Sequence, residues 1–176
     1  ITTAGFRDVL LIGRQKRYET YDLYMDKPAP LVARRHVLEV KERVGPAGEI
    51  EEELERASLN AIIETLSKSK IQSVAVSLIH AYANPAHENL IKNTLQNRLP
   101  DLLVSLSSDI SPKFREYERT STTVANAYVR PIVADYISRL QSTLGRRGVE
   151  NEMFIMQSAG GLISTEIEIE EPFRIL

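Results

Sequence analysis

Leu59, Ile62, Ile63 and Leu66 recur at i, i+3, i+4 and i+7, the spacing that lays one apolar stripe along a helix. Val74 to Ile79 is instead almost continuously apolar and rich in β-branched residues, the pattern of a parallel strand covered on both faces. Ile91, Leu95 and Leu99 predict a second striped helix, ended by Pro100. Its start is marked by Asn84, which can cap free N–H groups, and Pro85, whose missing N–H is no loss in a first turn. Leu102 to Leu106 reads as another short strand, and Ser111 with Pro112 repeats the cap-and-proline signal. A long helical stretch over about 112–145 follows, with Val124, Tyr128, Val133, Tyr136, Ile137, Leu140 and Leu144 on one side, stopped by Gly145 and Gly148. Pro131 lies inside it, lacks a donor and crowds the carbonyl of Ala127, so a kink or a junction of two helices is expected there.

The flanks are less regular. Thr3 to Gly13 predicts a short helix, capped by Thr3, with Phe6, Val9 and Leu10 on one side. Arg14 to Pro30 reads as a long loop carrying Tyr18, Tyr21 and Tyr24, and Leu31 to Val44 as a half-exposed strand. Gly45, Pro46, Ala47 and Gly48 turn the chain. The acidic run from Glu49 to Glu55 stands where the helix of Leu59 is expected to begin, where carboxylates complement the helix dipole. Met153 to Met156 predicts a last strand, and Ile163 to Leu176 a strand or loop. Strands alternating with helices make an α/β domain, a parallel or mixed sheet with helices on both faces.

Composition narrows the partners. The 176 residues carry 24 acidic and 22 basic side chains, a formal charge of −2, so no global field favours nucleic acid or an anionic membrane. Arg14, Lys16, Arg17 and Lys27 lie near tyrosines, an arrangement that can bind single strands, yet in a balanced chain they read as a solvated surface. The absence of cysteine excludes disulfides, thiolate metal sites and a cysteine nucleophile. Apolar runs fall far short of the roughly 20 residues that span a bilayer, so no membrane partner is expected, and a cytoplasmic setting fits. Ile1 reads as the end of a strand begun upstream, which makes the chain an excised fragment.

No Walker loop, dinucleotide glycine pattern or nucleophile elbow is present. Three clusters carry polar chemistry. In LIHAYANPAHE, Leu78 to Glu88, a strand delivers His80 to its carboxyl end, the edge where open α/β sheets bind ligands, and His87 and Glu88 follow at the next helix start. Their spacing matches no familiar zinc motif, so hydrogen-bonded structural roles are preferred and no metal site is assigned. REYERTSTT, Arg115 to Thr123, places Glu116 and Arg119 three apart on one helical face, which suits a buried or interfacial polar network. MQSAGGL, Met156 to Leu162, ends a strand in paired glycines that permit a sharp turn or close approach to a ligand.

TTAGFRDVLLIGRQ, LIHAYANPAHE, REYERTSTTVANAYVRP and FIMQSAGGL, taken in order and with these separations, resemble the hydantoinase/oxoprolinase family from Thr2 to Leu176. The resemblance implies part of an actin-like (ribonuclease H-like) ATPase domain. It implies an enzyme that phosphorylates a carbonyl oxygen with ATP and a divalent cation such as magnesium, then hydrolyses the activated cyclic amide, a hydantoin or 5-oxoproline. Related subunits carboxylate acetone or acetophenone, and a non-catalytic subunit-interaction domain is a third reading. An amide is a poor electrophile, and phosphorylating its oxygen eases attack at carbon. The family's phosphate hairpins are expected upstream of Ile1 and downstream of Leu176, so residues 1–176 form one α/β domain fragment that binds no cofactor and is inactive alone. The family also implies a second subunit or a fused second half, and an oligomer when intact. Carried over by motif, the residues expected to line the cleft or bind substrate are Arg7, Asp8, His80, Glu116, Arg119, Asn126, Gln157, Ser158, Gly160 and Gly161. None is assigned a catalytic role.

Overall fold

The structure is a computed structural model that describes residues 1–14, 21–26, 28–149, 151–158 and 160–174. Lys16, Arg17, Tyr18, Lys27 and Ala159 of the motifs above lie outside the described residues. The strands are β1 (Thr2–Thr3), β2 (Glu39–Val40), β3 (Arg43–Val44), β4 (Ile50–Glu52), β5 (Ser73–Val76), β6 (Leu103–Leu106), β7 (Phe154–Met156) and β8 (Leu162–Ser164). The α-helices are α1 (Val9–Ile12), α2 (Arg56–Ser67), α3 (Ala86–Arg98), α4 (Ser107–Ile110), α5 (Glu116–Arg146) and α6 (Thr165–Glu170).

β1 pairs with β2 and β5 with β6, both in parallel, and a parallel bridge between Thr2 and Ser77 joins the pairs into the row β2-β1-β5-β6. Alternation along β5 and β6 sorts this row into two faces. Val74, Val76, Val104 and Leu106 enter one core with Leu59, Ile62, Ile63 and Leu66 of α2 and Ile91 and Leu95 of α3. The intervening Ser73, Ser77 and Ser105 are small and face α5, where each meets a polar group of that helix or its side chains. Small residues on this face let a long helix lie close to the sheet. β3-β4 and β7-β8 are separate antiparallel hairpins.

Pro131 does not break α5, which is assigned as one helix of 31 residues. The carbonyl of Ala127, which loses its usual helical donor to the proline ring, accepts a hydrogen bond from the Ser73 hydroxyl at 2.6 Å. A donor from the sheet therefore replaces the missing one.

Several local expectations are corrected. Thr3 caps no helix; it lies in β1, and only Val9–Ile12 is helical before Gly13. The acidic run does not open α2. Ile50–Glu52 forms β4, because the turn at Gly45 to Gly48 folds the chain back on β3, and α2 begins later with no acidic residue in its first turn. A side chain at Gly48, where φ is +91°, would meet the Ala83 carbonyl at 3.3 Å. Ser111 and Pro112 follow α4 rather than opening α5, which starts at Glu116. Tyr128 and Tyr136, expected in the buried stripe, are exposed, while Arg119, Thr123 and Asn126 are buried instead. The face of α5 that meets the sheet is polar because the sheet presents serines to it. Ile163 to Arg174 forms β8, α6 and a final turn of 3-10 helix.

Candidate functional site

The carboxyl edge of the parallel row is built from side chains that finish what the strands leave unpaired. The Thr3 hydroxyl, at the end of β1, donates to the Glu42 carboxylate and accepts the Ile79 N–H at 3.0 Å. The other Glu42 oxygen lies 2.7 Å from Nδ1 of His87, and both residues are buried. His87 Nε2 has no hydrogen-bond partner among the described residues; the nearest carboxylate, Glu53, is 3.7 Å away and exposed. Thr3 is 1% exposed, so no substrate reaches its hydroxyl and this chain of groups is a brace between β1, the link from β2 to β3, and α3.

Glu88 does the same for the next two strands. One carboxylate oxygen accepts the Leu78 N–H at 2.9 Å and the Ser107 hydroxyl at 2.6 Å, and the other accepts the Ser108 N–H at 2.9 Å. Burial raises its pKa above the ordinary carboxylate value, and the hydrogen bonds from Ser107, Leu78 and Ser108 act against that rise. Arg119, on the second turn of α5, donates through Nη2 to the Leu78 carbonyl at 2.6 Å and through Nη1 to the Lys113 carbonyl at 2.9 Å. Arg119 is 1% exposed, and burial lowers its pKa while Glu88, Glu116 and Tyr82 oppose the shift. Nε has no partner among the described residues.

His80 takes φ +55°, an uncommon conformation for a residue with a side chain, and its Nδ1 lies 2.8 Å from the Val44 carbonyl. The turn it makes returns the chain to α3: Ala83 and Asn84 N–H both reach the His80 carbonyl. Pro85, expected as the first helical residue, takes the cap position instead, with α3 starting at Ala86; Asn84, one residue earlier, accepts the Ala86 N–H at 3.1 Å and donates to the Gly48 carbonyl at 2.8 Å. The turn and the β3-β4 hairpin thus fix each other.

Of the residues expected from motifs, His80 and Arg119 come together around Tyr82. The His80 ring meets it edge to face at 6.0 Å, and the Arg119 guanidinium lies 5.5 Å from its centroid. Glu116 opens α5 nearby and is exposed. The others stand apart. Arg7 donates to the Arg34 carbonyl, and Asp8 is forked by Arg34 at 2.6 and 3.0 Å, which holds its carboxyl below the usual range. Asn126 is fully buried, donating to the Ser105 hydroxyl and Glu170 carbonyl and accepting the Phe173 N–H. Gln157, Ser158, Gly160 and Gly161 turn β7 into β8; the Gln157 N–H meets the Gly161 carbonyl, and both glycines have positive φ.

Sequence reasoning missed Thr3, Glu42 and the depth of Glu88. For Glu88 the sequence placed a carboxylate in the first turn of α3, but its donors, Leu78, Ser107 and Ser108, come from outside that helix, so its burial was not legible locally. Glu42 carried no signal: a glutamate in an alternating segment reads as solvent-facing. Among the described residues no three His, Asp or Glu side chains converge on a point that could hold a metal ion. These residues do not make a magnesium–nucleotide site by themselves. No helix among the described residues is long and apolar enough to cross a membrane.

Residues 1–99 match the hydantoinase/oxoprolinase N-terminal region, and residues 119–176 match the hydantoinase/oxoprolinase family that follows it. An uncharacterized protein of Methanocaldococcus jannaschii is 40% identical over 98% of this chain, which spans 25% of that protein. Caprolactamase subunit alpha of Pseudomonas jessenii is 32% identical over 92% of this chain, which spans 24% of it. The 5-oxoprolinase of Saccharomyces cerevisiae is 30% identical over 93% of this chain, which spans 14% of it. The crystal structure of the ATP-dependent caprolactamase from Pseudomonas jessenii superposes with a TM-score of 0.85 and 31% identity, over 93% of this chain and 24% of that one. Two consecutive family matches, a shared fold and the motif order agree: the chain belongs to the hydantoinase/oxoprolinase family.

Proposed function

We propose that this chain is part of an ATP-dependent enzyme that opens cyclic amides of the hydantoin or 5-oxoproline type by phosphorylating the carbonyl oxygen. The observation that carries this reading is the likeness to the ATP-dependent caprolactamase along 93% of the chain, since a lactam is a ring amide. ATP and a divalent cation would supply the phosphoryl group and its charge neutralisation in the full-length protein. The described residues do not fit that site alone, so no step is assigned to them, and residues 1–176 in isolation are expected to bind no nucleotide and release no phosphate. What this chain supplies is a braced scaffold. Gln157, Ser158, Gly160 and Gly161 are the residues we place nearest the cleft, on the exposed turn of β7-β8. The partner is a second subunit or a fused second half, as the name of the Pseudomonas protein, subunit alpha, supports. A cytoplasmic location suits an ATP-driven reaction.

The test is phosphate release by the full-length protein with its companion subunit, given 5-oxoproline, hydantoins, caprolactam, or acetone with bicarbonate. Stimulation by a ring amide is expected. Stimulation only by ketone with bicarbonate moves the protein to the carboxylases, and nucleotide-independent association without turnover makes it an interaction domain.

A further inference from the structure

Beside the Arg119 brace, the carboxyl edge of the sheet opens into a cavity of about 460 Å³ between Tyr82, the segment Ser111 to Arg115 and the first turns of α5. Its walls are aromatic and its rim is cationic. Phe114 is 64% exposed although it is large and apolar, and the Arg115 guanidinium lies 5.6 Å from its ring centroid. Tyr82 also lines the cavity, with Arg119 5.5 Å from its ring centroid and the His80 ring edge to face at 6.0 Å. Lys113 is exposed, its carbonyl is taken by Arg119, and its ammonium has no partner among the described residues. The one acid in the lining, Glu118, is already met by Arg14 at 2.7 Å, against 4.0 Å for Arg115. Arg115 is followed by the exposed Glu116 and has Glu118 at 4.0 Å, so Lys113 is the cation of the lining without a partner among the described residues.

We propose that this cavity binds a small organic anion, a carboxylate or phosphate borne on a flat unsaturated body. The anion would sit between Lys113 and Arg115, and the flat body between Tyr82 and Phe114. The chemistry follows from the lining. A guanidinium pairs an oxyanion through parallel N–H groups, an ammonium adds a point charge, and aromatic side chains in the lining offer flat faces to a planar guest. Arg119 ties the Lys113 carbonyl to that of Leu78, just past β5, so the loop is positioned before any ligand arrives. The proposal concerns residues 1–176 themselves and stands whether or not the ring-amide reading holds.

The experiment is an amide-resolved NMR titration of the 176-residue chain with benzoate, phenyl phosphate, inorganic phosphate and benzamide. Benzoate or phenyl phosphate is expected to shift Tyr82, Lys113, Phe114 and Arg115 saturably, with the stronger of the two identifying the anionic group. The doubly substituted K113Q/R115Q chain is expected to weaken that binding at least about tenfold. Both side chains are exposed, so the fold should be kept, and F114A provides an independent variant that removes a wall without touching charge. Equal shifts with benzamide would overturn the role of the cations. Equal shifts with inorganic phosphate would overturn the role of the aromatic rings. Absence of saturable shifts with every probe, or unchanged binding in both variants, would overturn the site.

Discussion

Glu88 and Glu168 are both fully buried carboxylates on helices, and both have pKa values raised by burial, yet their surroundings are opposite. Glu88 meets two backbone N–H groups and a hydroxyl at the carboxyl edge of the parallel row. Glu168, on α6 near the β7-β8 hairpin, has no hydrogen-bond partner for either oxygen among the described residues, and the opposing influence on it is the charge of Arg174, which pairs with Glu171. The same contrast separates the two regions as wholes. The parallel row is sealed by helices, whereas Phe154, Met156 and Leu162 of the hairpin remain exposed. A carboxylate that completes hydrogen bonds integrates a fold; one that completes none is a burden carried by the contacts around it.

The comparison can be broken most directly at Glu88. Glu88→Ala leaves the Leu78 and Ser108 N–H groups and the Ser107 hydroxyl without acceptor, and about 4 kcal/mol of stability should be lost. A urea denaturation series reads this as a lowered midpoint, and an unchanged midpoint would refute the bracing role. Arg119→Met removes the donors to the Leu78 and Lys113 carbonyls while keeping the apolar stem, so a smaller loss of about 3 kcal/mol is expected by the same measurement.

Glu168 should respond in the other direction. Glu168→Gln removes an ionisable group from an unpartnered site and should raise stability at neutral pH by about 1 kcal/mol. The sign follows from linkage. The folded-state pKa is raised, so the contribution of Glu168 is fully present below the unfolded carboxylate value and is lost as pH rises through the folded one. Glu88 shares that sign, so the informative quantity is the difference between the wild-type and Glu168→Gln stability curves. That difference should widen with rising pH across this window, and a constant difference would contradict the assignment.

Ser73 gives the smallest and sharpest test. Ser73→Ala should cost about 1 kcal/mol because the Ala127 carbonyl loses its donor. In a Pro131→Ala background the restored N–H can reach that carbonyl, and the same substitution should then cost close to nothing. A double-mutant cycle without coupling would show that the serine and the proline are unrelated.

Where apolar spacing was regular, local pattern and final structure agree. The stripe of α2, the start of α3 to within a residue and the two central strands were legible because burial of an apolar face and the conformational limits of proline are set by neighbours a few residues away. The acidic run misled because its fate depended on a turn that hands Ile50–Glu52 to β3. The buried face of α5 misled because its apolar residues were counted without the serines opposite them. The site was legible as motifs and illegible as geometry: His80 and Arg119 meet at Tyr82, while Asn126 and the glycine turn serve other contacts.

By itself, then, the sequence determined an α/β alternation, a cysteine-free core and an ordered set of family motifs, because composition, periodicity and motif order are properties of the chain alone. Tertiary structure alone decided which polar groups went inside. Burying a charge depends on donors and acceptors brought from distant positions, Leu78 and Ser107 to Glu88, Lys113 to Arg119, Ser73 to Ala127, and no local pattern carries that information.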